Sequence, residues 1–204
     1  MERVINEVFF DVETKNLFND KGEFNPKDLG VSIVSLYKRT VDKNMREVEG
    51  EMFSFWEKDF GKIWPIFQNA DRIIGFNSIN FDVPALQPYA DFPLSKLSHF
   101  DILLKVKETF GKRISLDSIA KETLDKEKSD IGVNAVLYWQ EGGDKNLEKL
   151  RKYCEMDVEI TKEIYDFVLK NGYIHFKDRW NTLRHIKLDF SYPSDAPLKQ
   201  IGLF

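Results

Sequence analysis

Four carboxylates, Asp11, Glu13, Asp82 and Asp157, stand in three short motifs, in fixed order, along a chain of 204 residues: Asp11-Val-Glu13 closing an apolar run, Asn77-Ser-Ile-Asn-Phe81-Asp82, and Tyr153-Cys-Glu-Met-Asp157. Brought to one point they would repel one another and hold protons unless divalent cations sat among them, so a fold that gathers them is a fold with a metal site. That requirement asks for a strand end, a helix start and a long helix that all meet in one place.

The apolar patterning supplies those elements. Val4-Ile5 and Val8-Phe9-Phe10 read as a buried strand closing at Asp11. Side chains on a strand alternate with period two, so Asp11 and Glu13 project from one face, which is the geometric reason for Asp-x-Glu. Val31–Tyr37 and Glu47–Phe53 read as two further strands of an antiparallel meander, with a turn at Asp42-Lys-Asn44. A helix is expected from about Asp59 to Asn69, a short buried strand at Arg72–Gly75, and then a loop that delivers Asp82 to a helix entrance with Pro84 in its first turn. From Ile102 to about Glu141 the spacing is helical in pieces, broken at Gly111 and around 129–132. A long helix should begin with Asp144 or Asn146 as cap and stop at Asn171-Gly172, placing Tyr153 and Asp157 one turn apart on the same side. Tyr173–Phe176 and His185–Phe190 read as short added strands, and Tyr192–Pro197 as an extended linker. Residues 1–172 thus form the main domain, 173–191 an appended pair of strands, and 192–204 a tail.

Magnesium and manganese prefer oxygen ligands, and four carboxylates suffice for two such ions. Two ions so held could activate a water for in-line attack on phosphorus and stabilise the departing oxygen. Tyr153, with an ordinary phenol pKa near 10, would stay neutral and orient the water or a phosphate oxygen. The composition narrows the setting. No apolar stretch approaches the roughly 20 residues of a membrane span, and the single cysteine, Cys154, excludes a disulfide framework or a thiolate zinc site and reads as a buried small side chain. A soluble, cytoplasmic protein is expected. The 34 acids and 30 bases give −4, which the four motif carboxylates alone account for, so the rest of the molecule is neutral and intrinsic affinity for a long nucleic acid should be modest. Lys105, Lys107, Lys112, Arg113 and Lys121 cluster between the second and third motifs and read first as a solvated helix face. His99, His175 and His185 lack ligand-like spacing.

Singly the motifs are weak, since Asp-x-Glu arises freely where 31% of residues are charged. Together they resemble the DEDD exonuclease superfamily, with its ribonuclease-H-like fold, in the branch that carries tyrosine in the third motif. Gly75-Phe-Asn77-Ser-Ile-Asn-Phe81-Asp82-Val-Pro84 and Tyr153-Cys-Glu-Met-Asp157 look especially like the second and third proofreading motifs of B-family DNA polymerases, and the resemblance covers about residues 5–170. It implies an α/β fold: a mixed sheet, antiparallel meander plus parallel strands, flanked by helices. It implies Asp11, Glu13, Asp82 and Asp157 as ligands of two Mg²⁺ or Mn²⁺ ions, Tyr153 as the water-positioning residue, and Thr14, Asn77 and Phe81 as residues near the substrate. The histidine branch would place its histidine where Lys152 stands. The implied activity is 3′→5′ hydrolysis of single-stranded or frayed DNA ends with release of nucleoside monophosphates, in a chain with no room for a polymerase. RNA trimming and a non-catalytic adaptor that binds nucleic-acid ends or a clamp are the alternatives.

The sequence closes on Gln200-Ile201-Gly-Leu203-Phe204, which resembles the short peptide by which bacterial replication proteins dock on the sliding clamp. An extended segment can seat Leu203 and Phe204 in an apolar pocket while Gln200 hydrogen-bonds at the rim. The alternative is an apolar terminus folded onto its own core.

Overall fold

The strand that carries the first motif does not close at Asp11. In the computed structural model, which describes residues 4–17, 25–126 and 132–193, β1 runs Ile5–Thr14, through both acids. Its alternation sorts the side chains. Val8, Phe10 and Val12 enter one apolar layer and Phe9 the other, while Asp11 and Glu13 lie half-buried on the Phe9 side.

Antiparallel pairing carries β1 along the whole of β2 (Val31–Val41), and β2 in turn pairs with β3 (Glu47–Trp56). The β2–β3 turn is built on Asp42, whose carboxylate accepts the amides of Asn44 and Arg46. The expected helix from Asp59 starts later. Glu57–Lys62 is a 3-10 turn and α1 spans Ile63–Asn69, because Pro65 is tolerated only in a helix's first turn and blocks extension back to Asp59.

Beyond α1, β4 (Arg72–Gly75) lies parallel to β1, pairing only over Glu7–Phe9. α2 (Asp82–Leu86) opens at Asp82, as expected. A three-residue strand that the apolar pattern does not reveal, β5 (His99–Asp101), adds parallel to β4, giving the order β3-β2-β1-β4-β5. This is the expected α/β architecture, a mixed sheet with helices on its faces. α3 (Ile102–Phe110) ends at Gly111, whose positive φ closes the helix, and α4 (Leu116–Leu124) is capped by the Ser115 hydroxyl.

α5 (Gly132–Glu141) precedes α6 (Asp144–Asn171), which packs on β1 and β2. Neither Asp144 nor Asn146 caps α6. Gly143 does so by position, at φ +77°, and the Asn146 amide donates back to the Gly142 carbonyl at 3.1 Å. β6 (Tyr173–Lys177) and β7 (Leu183–Lys187) form a separate hairpin against α4. The last strand was expected at His185–Phe190. It ends instead at Lys187, because Leu188 and Phe190 turn into the core beside α6. Tyr192, expected in a linker, is held against the domain by Glu7 and Arg72. No helix among the described residues is long and apolar enough to cross a membrane. The terminal peptide Gln200–Phe204 lies outside the described residues.

Candidate metal centre and active site

The parallel partner β4 stops early, and this opens the site. Past Phe9 the β4 side of β1 has no strand to pair with, so the Val12 amide there needs another acceptor. Asp82, at the first position of α2 and only 4% exposed, supplies it: its Oδ1 accepts the Val12 N–H at 3.2 Å. One element end is thereby pinned to another, and a carboxylate is fixed at the rim of β1.

Asp11 and Glu13 share the face of β1 that α6 covers, and α6 places Asp157 among them. One carboxylate oxygen from each of Asp11, Glu13 and Asp157 lies within 4.8 Å of the other two. Asp82 falls outside that tight trio. It stands close enough for the charge of Asp157 to act on it, together with that of Asp101. Burial, more than either neighbour, pushes the Asp82 carboxyl up to about 7.

Tyr153 sits one turn before Asp157 on α6 and is 7% exposed. Its phenol is pushed well above its ordinary range, by burial first and then by the charges of Asp157, Glu13, Asp11 and Asp117. It is therefore a neutral hydrogen-bonding group at any working pH. Ile33, Ala135, Leu150 and Cys154 pack around it.

The Cys154 thiol reaches Asp11, 3.5 Å from its carbonyl oxygen and 3.7 Å from Oδ2. Burial, then Asp11 and Glu13, raise the thiol's pKa, so it stays a proton donor and helps to fix the Asp11 side chain. Reading Cys154 as a buried small side chain is right but incomplete; its place beside Tyr153 in the third motif is the available signal.

The second motif is organised by a residue that the sequence reading passed over. Asp101, buried at the end of β5, accepts the Asn77 amide at 2.9 Å, the Ile79 amide at 3.0 Å and the Leu104 amide at 3.2 Å. One carboxylate thus caps α3 and holds Asn77 in the left-handed conformation, φ +65°. Gly75 makes the turn feasible, since a Cβ there would lie 2.5 Å from the Ser78 Cβ. The available signal was an aspartate just before the apolar run of α3, a cap pattern.

The other expected substrate contacts are scattered around this frame. Asn77 lies in the turn before α2. Phe81 packs half-buried on the α1–α2 layer, and Thr14 is buried with its hydroxyl donating to the Asn16 carbonyl at 3.0 Å.

The donor set fits a hard divalent cation. Asp11, Glu13 and Asp157 offer oxygen alone, and the neighbouring sulfur is held protonated. Residues 8–169 match the RNase_H_2 family model, described as RNase_H superfamily. That span takes in all three motifs, and superfamilies of this kind commonly comprise nucleases. No curated protein matches the chain.

Proposed function

Since the chain belongs to the RNase H superfamily, we propose that its acidic site is that of a metal-dependent 3′→5′ exonuclease, which hydrolyses single-stranded or frayed DNA ends and releases nucleoside monophosphates. The observation that carries this reading is the convergence of Asp11, Glu13 and Asp157 within 4.8 Å, beside a buried neutral tyrosine. Asp11, Glu13 and Asp157 would hold two Mg²⁺ or Mn²⁺ ions, with Asp82 completing the set at its rim. When bound, the cations supply an activated water and neutralise charge at phosphorus and at the departing 3′ oxygen.

The chain's own residues do the positioning. Tyr153 donates its phenolic hydrogen to the attacking water or to a phosphate oxygen and aligns it without giving up its proton. Cys154 and the Val12 amide hold Asp11 and Asp82 in place. Asn77, Phe81 and Thr14 are proposed to contact the terminal nucleotide. DNA, rather than RNA, is supported by the polymerase-like second and third motifs and by the terminal peptide, which we assign to docking on a sliding clamp through Gln200, Ile201, Leu203 and Phe204. Tethering to a ring around the duplex would raise the local concentration of a nuclease whose overall charge is −4.

The deciding assay uses DNA and RNA oligonucleotides labelled at the 5′ end, with Mg²⁺ or Mn²⁺ and with EDTA, for the natural chain and Asp157→Asn. Stepwise shortening of DNA from the 3′ end, abolished by EDTA and by the substitution, is expected. Preferential shortening of RNA would reassign the substrate, and metal-independent binding without cleavage would show an adaptor.

A further inference from the structure

A second cleft opens where the α3–α4 turn faces the tip of the β6–β7 hairpin. Its volume is about 510 Å³, and five cations line it against one acid, Asp178. A smaller cleft over β2 and β3, about 160 Å³, sets Lys38 and Arg39 against Glu49 and Glu51.

Asp178 does not neutralise the larger cleft, because it is committed to the hairpin. Its Oδ1 accepts the Trp180 and Thr182 amides at 2.9 and 3.1 Å, and its Oδ2 takes the Arg184 guanidinium at 2.7 Å. Lys177 is likewise paired, with Glu122 at 3.0 Å. Lys112, Arg113 and Arg179 are exposed and, among the described residues, lack an acidic partner.

The fixed hairpin tip presents an aromatic face to these cations. Trp180 is 62% exposed, with Arg179 4.0 Å and Lys112 5.6 Å from its ring centroid. A large ring held out to water on a hydrogen-bonded turn and flanked by cations matches the chemistry of a base-stacking platform beside a phosphate track. Ser115 and Ser118, at the start of α4, line the same cleft. That first turn also carries Asp117, whose charge reaches Tyr153. The first turn of α4 thus carries both cleft residues, Ser115 beside it and Ser118 within it, and an acid whose charge acts on Tyr153.

We propose that this cleft binds the single strand running back from the scissile end, with a base stacked on Trp180 and backbone phosphates on Lys112, Arg113 and Arg179. The inference deepens the nuclease reading and rests on it for the polymer's identity. It also locates phosphate contacts in a molecule whose net charge offers little general attraction to nucleic acid.

The test is fluorescence anisotropy with labelled dT3 and dT12 in EDTA, where no hydrolysis occurs, on the natural chain, Trp180→Ala and the double variant Lys112→Glu/Arg113→Glu. Binding of dT12 should exceed that of dT3. Trp180→Ala should weaken dT12 at least about fivefold, the low end for one stacked base. The double variant should flatten the slope of log affinity against log salt by about 1.4, two single-strand phosphate contacts at about 0.7 each. Hydrolysis of the p-nitrophenyl ester of thymidine monophosphate, too small to reach the cleft, should be unchanged in both variants, as should the melting temperature. Unchanged dT12 affinity and salt slope in both variants would overturn the cleft assignment while leaving ester hydrolysis to judge the active site. Cleft-dependent binding by a protein inert on the ester would uphold the cleft and remove the nuclease.

Discussion

Asp82 shows what a single buried carboxyl costs and what it reports. Water is excluded from it, Asp101 and Asp157 add negative charge, and two backbone amides only partly offset them. A folded-state value raised from 3.8 to about 7 means that the native protein binds a proton which the unfolded chain has already released. Between those two values the unfolded state therefore binds fewer protons, and stability falls as pH rises. The group's contribution is fully present below about pH 4 and is lost as pH rises through about 7. In EDTA the melting temperature should fall from pH 5 to pH 7.5, and Asp82→Asn, which cannot ionise, should shrink that fall. At pH 7.5 the variant should melt higher than the natural chain, by roughly 2–4 °C per kcal/mol regained in a domain of this size. Mg²⁺ should reverse the order, raising the melting temperature of the natural chain more than that of Asp82→Asn. A variant that melts lower than the natural chain in EDTA at pH 7.5 would contradict this account.

At the scale of elements, α6 is the part that turns a fold into a site. Its buried stripe runs from Leu150 to Val168 and includes Tyr153 and Asp157, so the packing that seats the helix also sets the phenol against the carboxylates. Tyr153→Phe keeps that packing and removes only the hydroxyl. Single-turnover cleavage should slow by about 10²-fold, the low end for a positioned proton-bearing group, while Mn²⁺ affinity by calorimetry stays within about twofold of the natural chain. Because burial and the nearby carboxylates keep the phenol protonated, the pH profile should gain no alkaline limb from it below about pH 10. Loss of Mn²⁺ affinity in this variant would make Tyr153 a structural support for the carboxylates instead. α6 was legible in the sequence because twenty-eight residues carry a sustained helical period and end at a glycine. The meander was legible for a similar reason, alternation bounded by a turn built on Asp42. β5 was not, since three residues carry no period, and β1 was foreshortened because Asp11 and Glu13 contradict strand propensity and are explained only by what they face. Asp101 eluded the motif reading for a related cause: its role is to accept three amides, and that depends on where β5 brings it.

Across the whole molecule, the site end of β1 is matched by a polar network at the other end. Glu7, fully buried and about 13 Å from Asp11 along the strand at the usual rise, accepts from Arg39 at 2.8 Å, from the Tyr165 hydroxyl at 2.8 Å and from the Tyr192 hydroxyl at 2.8 Å. Arg72 donates to the Tyr165 hydroxyl and to the Phe190 carbonyl, with its guanidinium 3.5 Å from the Tyr192 ring centroid. Phe190 itself packs on Phe100 and Tyr165. The segment 188–192 is thus a closing strap that ties α6, β1 and β4 together, and its Phe190 carbonyl and Tyr192 hydroxyl serve the buried Arg72 and Glu7, so that removing them leaves a charged group with fewer hydrogen-bond partners. Two truncations separate this role from that of the terminal peptide. Ending the chain after Pro193 keeps the strap and removes residues 194–204, so the melting temperature and the cleavage of short oligonucleotides should be unchanged while capture by a sliding clamp is lost. Ending it after Lys187 removes Phe190 and Tyr192 and leaves Arg72 without the Phe190 carbonyl. Loss of the buried phenylalanine alone is worth about 3–5 kcal/mol, and urea unfolding should show at least that much destabilisation. If the longer truncation proved as stable as the chain ended after Pro193, the strap would be ornamental. If the shorter one already lost stability, residues 194–204 would belong to the core rather than to a partner.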